Sequence, residues 1–311
     1  MKLYYSLITL VILSCCYSAN SQKKTFNGEI KMAIKVTSKC PEISDEEWMR
    51  YLFLNDSGIH TYLNLKHKEV FNEYTHYNLY NLNKFYATYK DIDSLYEINF
   101  INNMFNEKMD TTFVAIDSLI HGYKCNKFTL RSKELKSEFF FLDSNKYDNG
   151  NCVFIGYYKD NPFYTISSEA ISIEEKFIDS QIFVIPDLPL SPLKTEKVNL
   201  ISLKIPEFDE GEKGWAKYIS RNTKSELGCD YIKIPKGQKL AMQSVNVFFA
   251  LDSNGNVVKS VPINIENIHP KLVKEALRVI DRSPSWKNAT YHNKAIPFIF
   301  SQKIIFACAE E

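Results

Sequence analysis

The chain is poor in the residues that interrupt or dissolve a fold. Ten glycines and eleven prolines among 311 residues exclude collagen-like repeats and low-complexity disorder. No second long apolar run follows the N-terminal one, which excludes a bundle of transmembrane helices. Neither sign of charge dominates. Lys+Arg 38 against Asp+Glu 37 leaves a formal charge of +1, so no global field draws the chain to nucleic acid. C-x-x-C pairs are absent, which argues against a zinc ribbon and a thioredoxin-type redox site. G-x-S-x-G, H-E-x-x-H and a Gly-rich phosphate loop are absent too. The expectation is therefore a binding protein and not an enzyme, with no catalytic residue, cofactor or metal. His60, His67, His76 and His121 place no two imidazoles at i,i+2 on a strand or i,i+4 on a helix, so they read as solvated strand histidines.

Apolar content is ample, at 45% hydrophobic and 14% aromatic. At about 100 to 200 residues per domain, the length suggests two domains.

Residues 1–21 read as an export signal, with Lys2 before an apolar stretch from Leu3 to Leu13 that is too short to span a bilayer. Leu13-Ser14-Cys15-Cys16 resembles a lipobox, which makes Cys15 and Cys16 candidate lipidation sites; plain cleavage after Ser21 is the alternative. The chain is thus expected to be exported and periplasmic or anchored at the outer membrane. Cleavage at Ser21 leaves Cys40, Cys125, Cys152, Cys229 and Cys308, an odd number, so at least one thiol stays free or pairs outside the chain. Cys229 and Cys308 share the C-terminal segment and are a candidate disulfide.

Residues 22–185 read as a β-rich domain. Phe26 to Val36 alternates with period two, the mark of a half-buried strand. Ser44-Asp45-Glu46-Glu47 reads as a capping box opening a short helix with Trp48, Tyr51 and Leu52 as its apolar stripe. Further strands are expected at Ile59–Leu65, Tyr74–Tyr89, Tyr96–Ile101, Thr112–Ile116, Tyr123–Leu130, Glu138–Leu142, Val153–Tyr158 and Ile171–Val184. Asn55–Gly58 and Asp148–Gly150 are turns between them. Without intervening long helices, this spacing predicts an antiparallel meander. The run Asp117–Cys125, containing Gly122-Tyr123-Lys124-Cys125, resembles the signature of GLPGLI-type envelope proteins. That resemblance implies a curved half-barrel like that of LolA-type lipoprotein carriers, sheltering an acyl chain or other lipid ligand on its concave face. The namesake motif is missing, with Pro186-Asp187-Leu188-Pro189-Leu190 near its place.

Residues 186–209 form a linker with three prolines at its start. Residues 210–311 then predict a small α+β domain. The elements are a helix over Glu212–Asn222, a hairpin of Val245–Leu251 and Val257–Ile265 turning at Asp252–Asn256, a helix from His269-Pro270, and a final strand over Ile296–Ala307. Val245 to Val257, Ile268 to Leu277 and Pro284-Ser285-Trp286-Lys287 resemble ordered motifs of the TonB C-terminal domain family over about residues 210–307. Ser225-Glu226 stands near the place of that family's Tyr-Pro, and Asn288 replaces the proline after Trp286. The resemblance implies two helices over a three-stranded antiparallel sheet, and capture of an extended peptide beside the last strand. The implied partner is a TonB-dependent outer-membrane receptor or another envelope protein, linked to transport across the outer membrane. The expected peptide-binding edge is Ile296, Phe298, Ile299, Phe300, Ser301, Lys303 and Ile304. Energy transduction is not expected, because a linker of about 20 to 30 residues reaches only on the order of 70 to 100 Å.

Overall fold

The computed structural model describes residues 24–52, 58–64, 66–70, 74–79, 84–89, 92–97, 110–131, 136–142, 153–191, 203–263 and 265–309. Cys15, Cys16, Cys152, the Asn55 and Asp148–Gly150 turns and residues 192–202 of the linker lie outside them. The protein is mostly strand, with one large and two three-stranded sheets and few helices. It divides into two units, residues 1–37 with 52–201, and residues 38–51 with 202–311.

The first unit is a single sheet. Its strands are β1 (Gly28–Ser38), β2 (Ile59–Leu63), β3 (His67–Val70), β4 (Tyr74–Leu79), β5 (Lys84–Tyr89), β6 (Ile92–Glu97), β7 (Asp110–Ile120), β8 (Tyr123–Arg131), β9 (Lys136–Leu142), β10 (Phe154–Asp160), β11 (Tyr164–Glu175) and β12 (Leu190–Ser191). Their order is β12-β6-β5-β4-β3-β2-β1-β11-β10-β9-β8-β7, with antiparallel hairpin neighbours and β12 parallel to β6. Period-two patterning places Ile30, Met32, Ile59, Thr61 and Leu63 on one buried face. The core continues along that face through Phe139, Phe141 and Tyr157 to Leu130. The opposite face is wetter. There Glu29 is ringed by Lys176 Nζ at 2.5 Å, His60 Nδ1 at 3.6 Å and Lys31 Nζ at 3.8 Å. The hydrogen bonds it donates to Glu29 and Glu174 push the Lys176 ammonium up to about 12.

Several expected boundaries change. The Tyr74–Tyr89 run is two strands, β4 and β5, paired as a hairpin. The Ile171–Val184 run leaves the sheet at Glu175 and closes with a 3-10 turn at Ser180–Phe183, which Asp179 caps through Gln181 N–H. His67–Val70 is a strand too short to stand out by periodicity.

The second unit takes up helix α1 (Asp45–Tyr51), which follows β1 directly. The capping box is formed: Glu47 N–H donates to Ser44 Oγ at 3.2 Å, and Ser44 N–H donates to Glu47 Oε2 at 2.8 Å. The remaining elements are β13 (Leu203–Lys204), α2 (Gly211–Asn222), α3 (Leu227–Tyr231), β14 (Leu240–Leu251), β15 (Val257–Ile263), α4 (Pro270–Asp281), β16 (Ala289–Tyr291), β17 (Lys294–Ile296) and β18 (Phe298–Ala309). They build two antiparallel sheets, ordered β15-β14-β18 and β13-β16-β17. Helices α2 and α4 share a core with the inner face of β14 and β18: Val245, Val247, Phe249, Leu272, Ala276, Ile304 and Phe306 are buried, with Trp215 and Leu277 packed against them.

Candidate functional site: the edge of the last strand

The hairpin that carries the site is fixed by its turn. Asp252 Oδ1 accepts from Asn254 N–H at 2.9 Å and Asn256 N–H at 2.8 Å, and Gly255 turns the chain at φ 84°. An added Cβ at Gly255 would sit 2.0 Å from the Trp286 carbonyl oxygen, so glycine is required twice over. Helix α4 begins with Pro270 where no N–H is needed, and the His269 ring accepts from Lys271 N–H at 3.3 Å.

β18 pairs with β14 along its whole length, from Ala309 opposite Leu240 to Phe298 opposite Leu251. Among the described residues, no strand pairs with its other side. A twelve-residue row of main-chain donors and acceptors therefore has only one of its two sides laddered. Side chains alternate across it. Ser301, Lys303 and Ile305 are exposed on the outer face, while Ile304, Phe306 and Cys308 point into the core. Gln302, on the inner face, accepts from Trp215 Nε1–H at 2.7 Å and ties β18 to α2. Around that bond Trp215, Tyr218, Phe208 and Trp286 pack with ring centroids 4.8 to 5.6 Å apart.

The expected edge is corrected at its start. Phe298, Ile299, Phe300, Ser301, Lys303 and Ile304 lie on β18, but Ile296 does not. It sits on β17, pairs with Ala289 in the other small sheet and is 1% exposed. Pro297 is the cause: it has no N–H to donate, so the run expected as one strand splits there and each half joins a different sheet. Phe298 and Ile304 contribute backbone only, since both side chains are buried.

The far end of β18 is held by α3, a single turn with too few residues for periodicity to reveal. Cys229 on α3 is disulfide-bonded to Cys308, and Gly228 packs against the Ala307 backbone, where a Cβ would approach its carbonyl oxygen to 2.1 Å. Cys40 and Cys125 are buried, and burial raises both thiols above their ordinary range. Among the described residues, no three His, Cys, Asp or Glu side chains converge as metal ligands.

No family model matches the chain, and no curated protein matches it. Among solved structures, two crystal forms of PNGF-II, in space groups C2 and P21, are similar at 12% identity and a TM-score of 0.34. They cover 74% and 75% of this chain, which spans 44% and 45% of theirs. At that TM-score the likeness carries no argument.

Proposed function

We propose that the C-terminal unit captures an extended peptide or receptor segment by strand addition at β18. The observation that carries this reading is the one-sided ladder of β18. A guest strand laid beside it gains main-chain hydrogen bonds, while Ser301, Lys303 and Ile305 meet alternate guest side chains. The placement of α2 and α4 on one face of the β15-β14-β18 sheet supports a TonB-C-like fold and leaves the β18 edge to the guest. The partner in this reading is a TonB-dependent outer-membrane receptor or another envelope protein. The protein works from the periplasm or from a lipid anchor at Cys15 or Cys16, in support of transport across the outer membrane.

Backbone amide shifts during titration with a receptor N-terminal peptide test it. Perturbations are expected along Phe298 to Ile305; shifts confined to the first unit, or none at millimolar peptide, reject it. Ser301→Pro and Gln302→Pro sharpen the test, because successive N–H groups point to opposite sides of a strand. One variant strips the β14 ladder and the other only the free edge, and the latter is expected to stay folded while losing about tenfold or more in affinity.

A further inference from the structure

The outer face of the β15-β14-β18 sheet, turned away from α2 and α4, ends in an apolar patch. On β14, Val245 and Val247 are buried and Ala241 packs against the same core, so Leu240 and Met242, of the other parity, point outward. Leu240 is 46% exposed and Met242 63%. Across the ladder from them stand Ala309 and Ala307, both exposed, while Ile305, 57% exposed, pairs with Ser244 and is the diagonal neighbour of Met242. Large apolar side chains scattered singly on a surface need no explanation, but a contiguous group does. The rim of this group is basic. Ile232 is buried and Ile234 packs against the core, so Lys233 between them faces water. Gln238 N–H then donates to the Pro235 carbonyl at 3.0 Å and Gly237 turns at φ 86°, which puts Lys236 at the tip of a turn just before Lys239 and Leu240. At the other end Lys303 stands on the same outer face opposite Asn246. All four lysines are exposed, and among the described residues none of their ammonium groups has an acidic partner. Glu226 and Asp230 belong to α3, which reaches β18 from its core side through Cys308. Glu310 and Glu311 follow Ala309 in the chain and are outnumbered two to one by the lysines.

We infer that this patch docks the second unit onto an anionic phospholipid surface. Leu240, Met242 and Ile305 enter the boundary between head groups and acyl chains, while the lysines around them lay their stems along it and carry their ammonium groups to the phosphates. A neutral apolar partner would leave four cations unanswered, and a hydrophilic polyanion would leave the three large apolar side chains in water. Ala307 and Ala309 keep the centre of the patch flat, which suits a plane of lipid better than the side chains of one inserted segment. The inference goes beyond strand capture and does not require it, because β14, which carries Leu240 and Met242, is the middle strand of its sheet. A sheet lying face down in this way keeps the free side of β18 open along the membrane plane.

The test is flotation of the full chain, with Cys15→Ser and Cys16→Ser so that no lipid is attached, on two kinds of vesicle: phosphatidylcholine alone, and phosphatidylcholine mixed with phosphatidylglycerol. This parent chain is expected to bind the anionic vesicles about tenfold or more tightly than the neutral ones, and to lose that preference as salt is added. Lys236→Glu with Lys239→Glu is expected to abolish the preference, and Met242→Asp to weaken binding to both kinds several-fold. Met242→Trp is expected to be quenched by brominated lipid more than the parent chain is. Every comparison shares the same N-terminal segment, so whatever that segment binds cancels. Absence of binding to anionic vesicles, equal affinity for the two kinds, an undiminished preference in the lysine variant, or quenching of Met242→Trp no greater than in the parent overturns the inference. Emission of Met242→Trp that responds to an oligoglutamate peptide but not to vesicles assigns the patch to an acidic protein partner and overturns it equally. Amide shifts along β18 on adding receptor peptide are expected to be the same in the lysine variant as in the parent, so failure of lipid docking is distinguishable from failure of strand capture.

Discussion

Glu275 on α4 is 6% exposed, yet its carboxylate has three donors: Arg278 Nε and Nη2, each at 2.7 Å, and Lys224 N–H at 3.0 Å. Burial alone would raise its carboxyl, but hydrogen bonds from Arg278 and Lys224 reverse this and hold it below the ordinary range. A group depressed in the folded state contributes stability above its unfolded value and loses it as pH falls through the folded one. Urea midpoints of the second unit are therefore expected to fall below about pH 4.5, and Glu275→Gln is expected to flatten that fall while costing about 1 to 3 kcal/mol at neutral pH. Gly228→Ala should cost about as much through overlap with Ala307, read as a lowered denaturant midpoint at unchanged slope. Of these two residues the sequence offered little sign. A glutamate among solvated charges on α4 looks like its neighbours until the α2–α3 connection folds over it. The burial of Lys159, 4% exposed on β10, was hidden for another reason: Phe139-Phe140-Phe141 and Tyr157-Tyr158 put aromatics on both strand parities, and the bulge between Phe154 and Gly156 shifts the count.

Among the elements, legibility followed period and length. The Val245–Leu251 hairpin, α2 and α4 announce themselves through alternation, a turn glycine and an apolar stripe, and all three are formed. α3 is five residues long, shorter than any periodic signal, and owes its place to Cys229 and Gly228 rather than to propensity. Removing the disulfide with Cys229→Ser and Cys308→Ser together should therefore loosen α3 before anything else. Its sequence separation of 79 puts the expected loss at about 4.5 kcal/mol by chain entropy. Amide hydrogen exchange at Leu227–Tyr231 is expected to rise first, while the paired amides of β14 stay protected; equal acceleration of both would contradict a local role. The break at Pro297 is the converse case. Proline's missing N–H was visible in the chain, but only the presence of a second sheet with a vacancy beside β16 gives the preceding residues somewhere to go.

At the scale of the whole molecule, the second unit is discontinuous. Its core needs residues 38–51 as well as the C-terminal stretch: Trp48 is 0% exposed, the Tyr51 ring lies 5.8 Å from Phe298, and Lys259 Nζ donates to the Lys39 carbonyl at 3.2 Å. A capping box states that a helix starts but not which core receives it, so the sequence left α1 with its chain neighbours. A fragment of residues 202–311 is expected to melt several degrees lower than the same unit in the full chain, and added peptide 38–51 should restore part of the difference in a concentration-dependent way. No shift on adding the peptide would contradict a structural role for α1.

That discontinuity also sets a timetable. During synthesis α1 (Asp45–Tyr51) emerges long before β18 (Phe298–Ala309), so α1 waits with its apolar stripe uncovered until the intervening chain has been delivered. Closing so long a loop adds little to the equilibrium cost, which grows only with the logarithm of loop length, but it makes docking of α1 a late event. A chain cut short anywhere before Phe298 would keep α1 permanently undocked. The finished second unit is thus reachable only once β18 has been made, and chains released before it present Trp48 to chaperones and proteases.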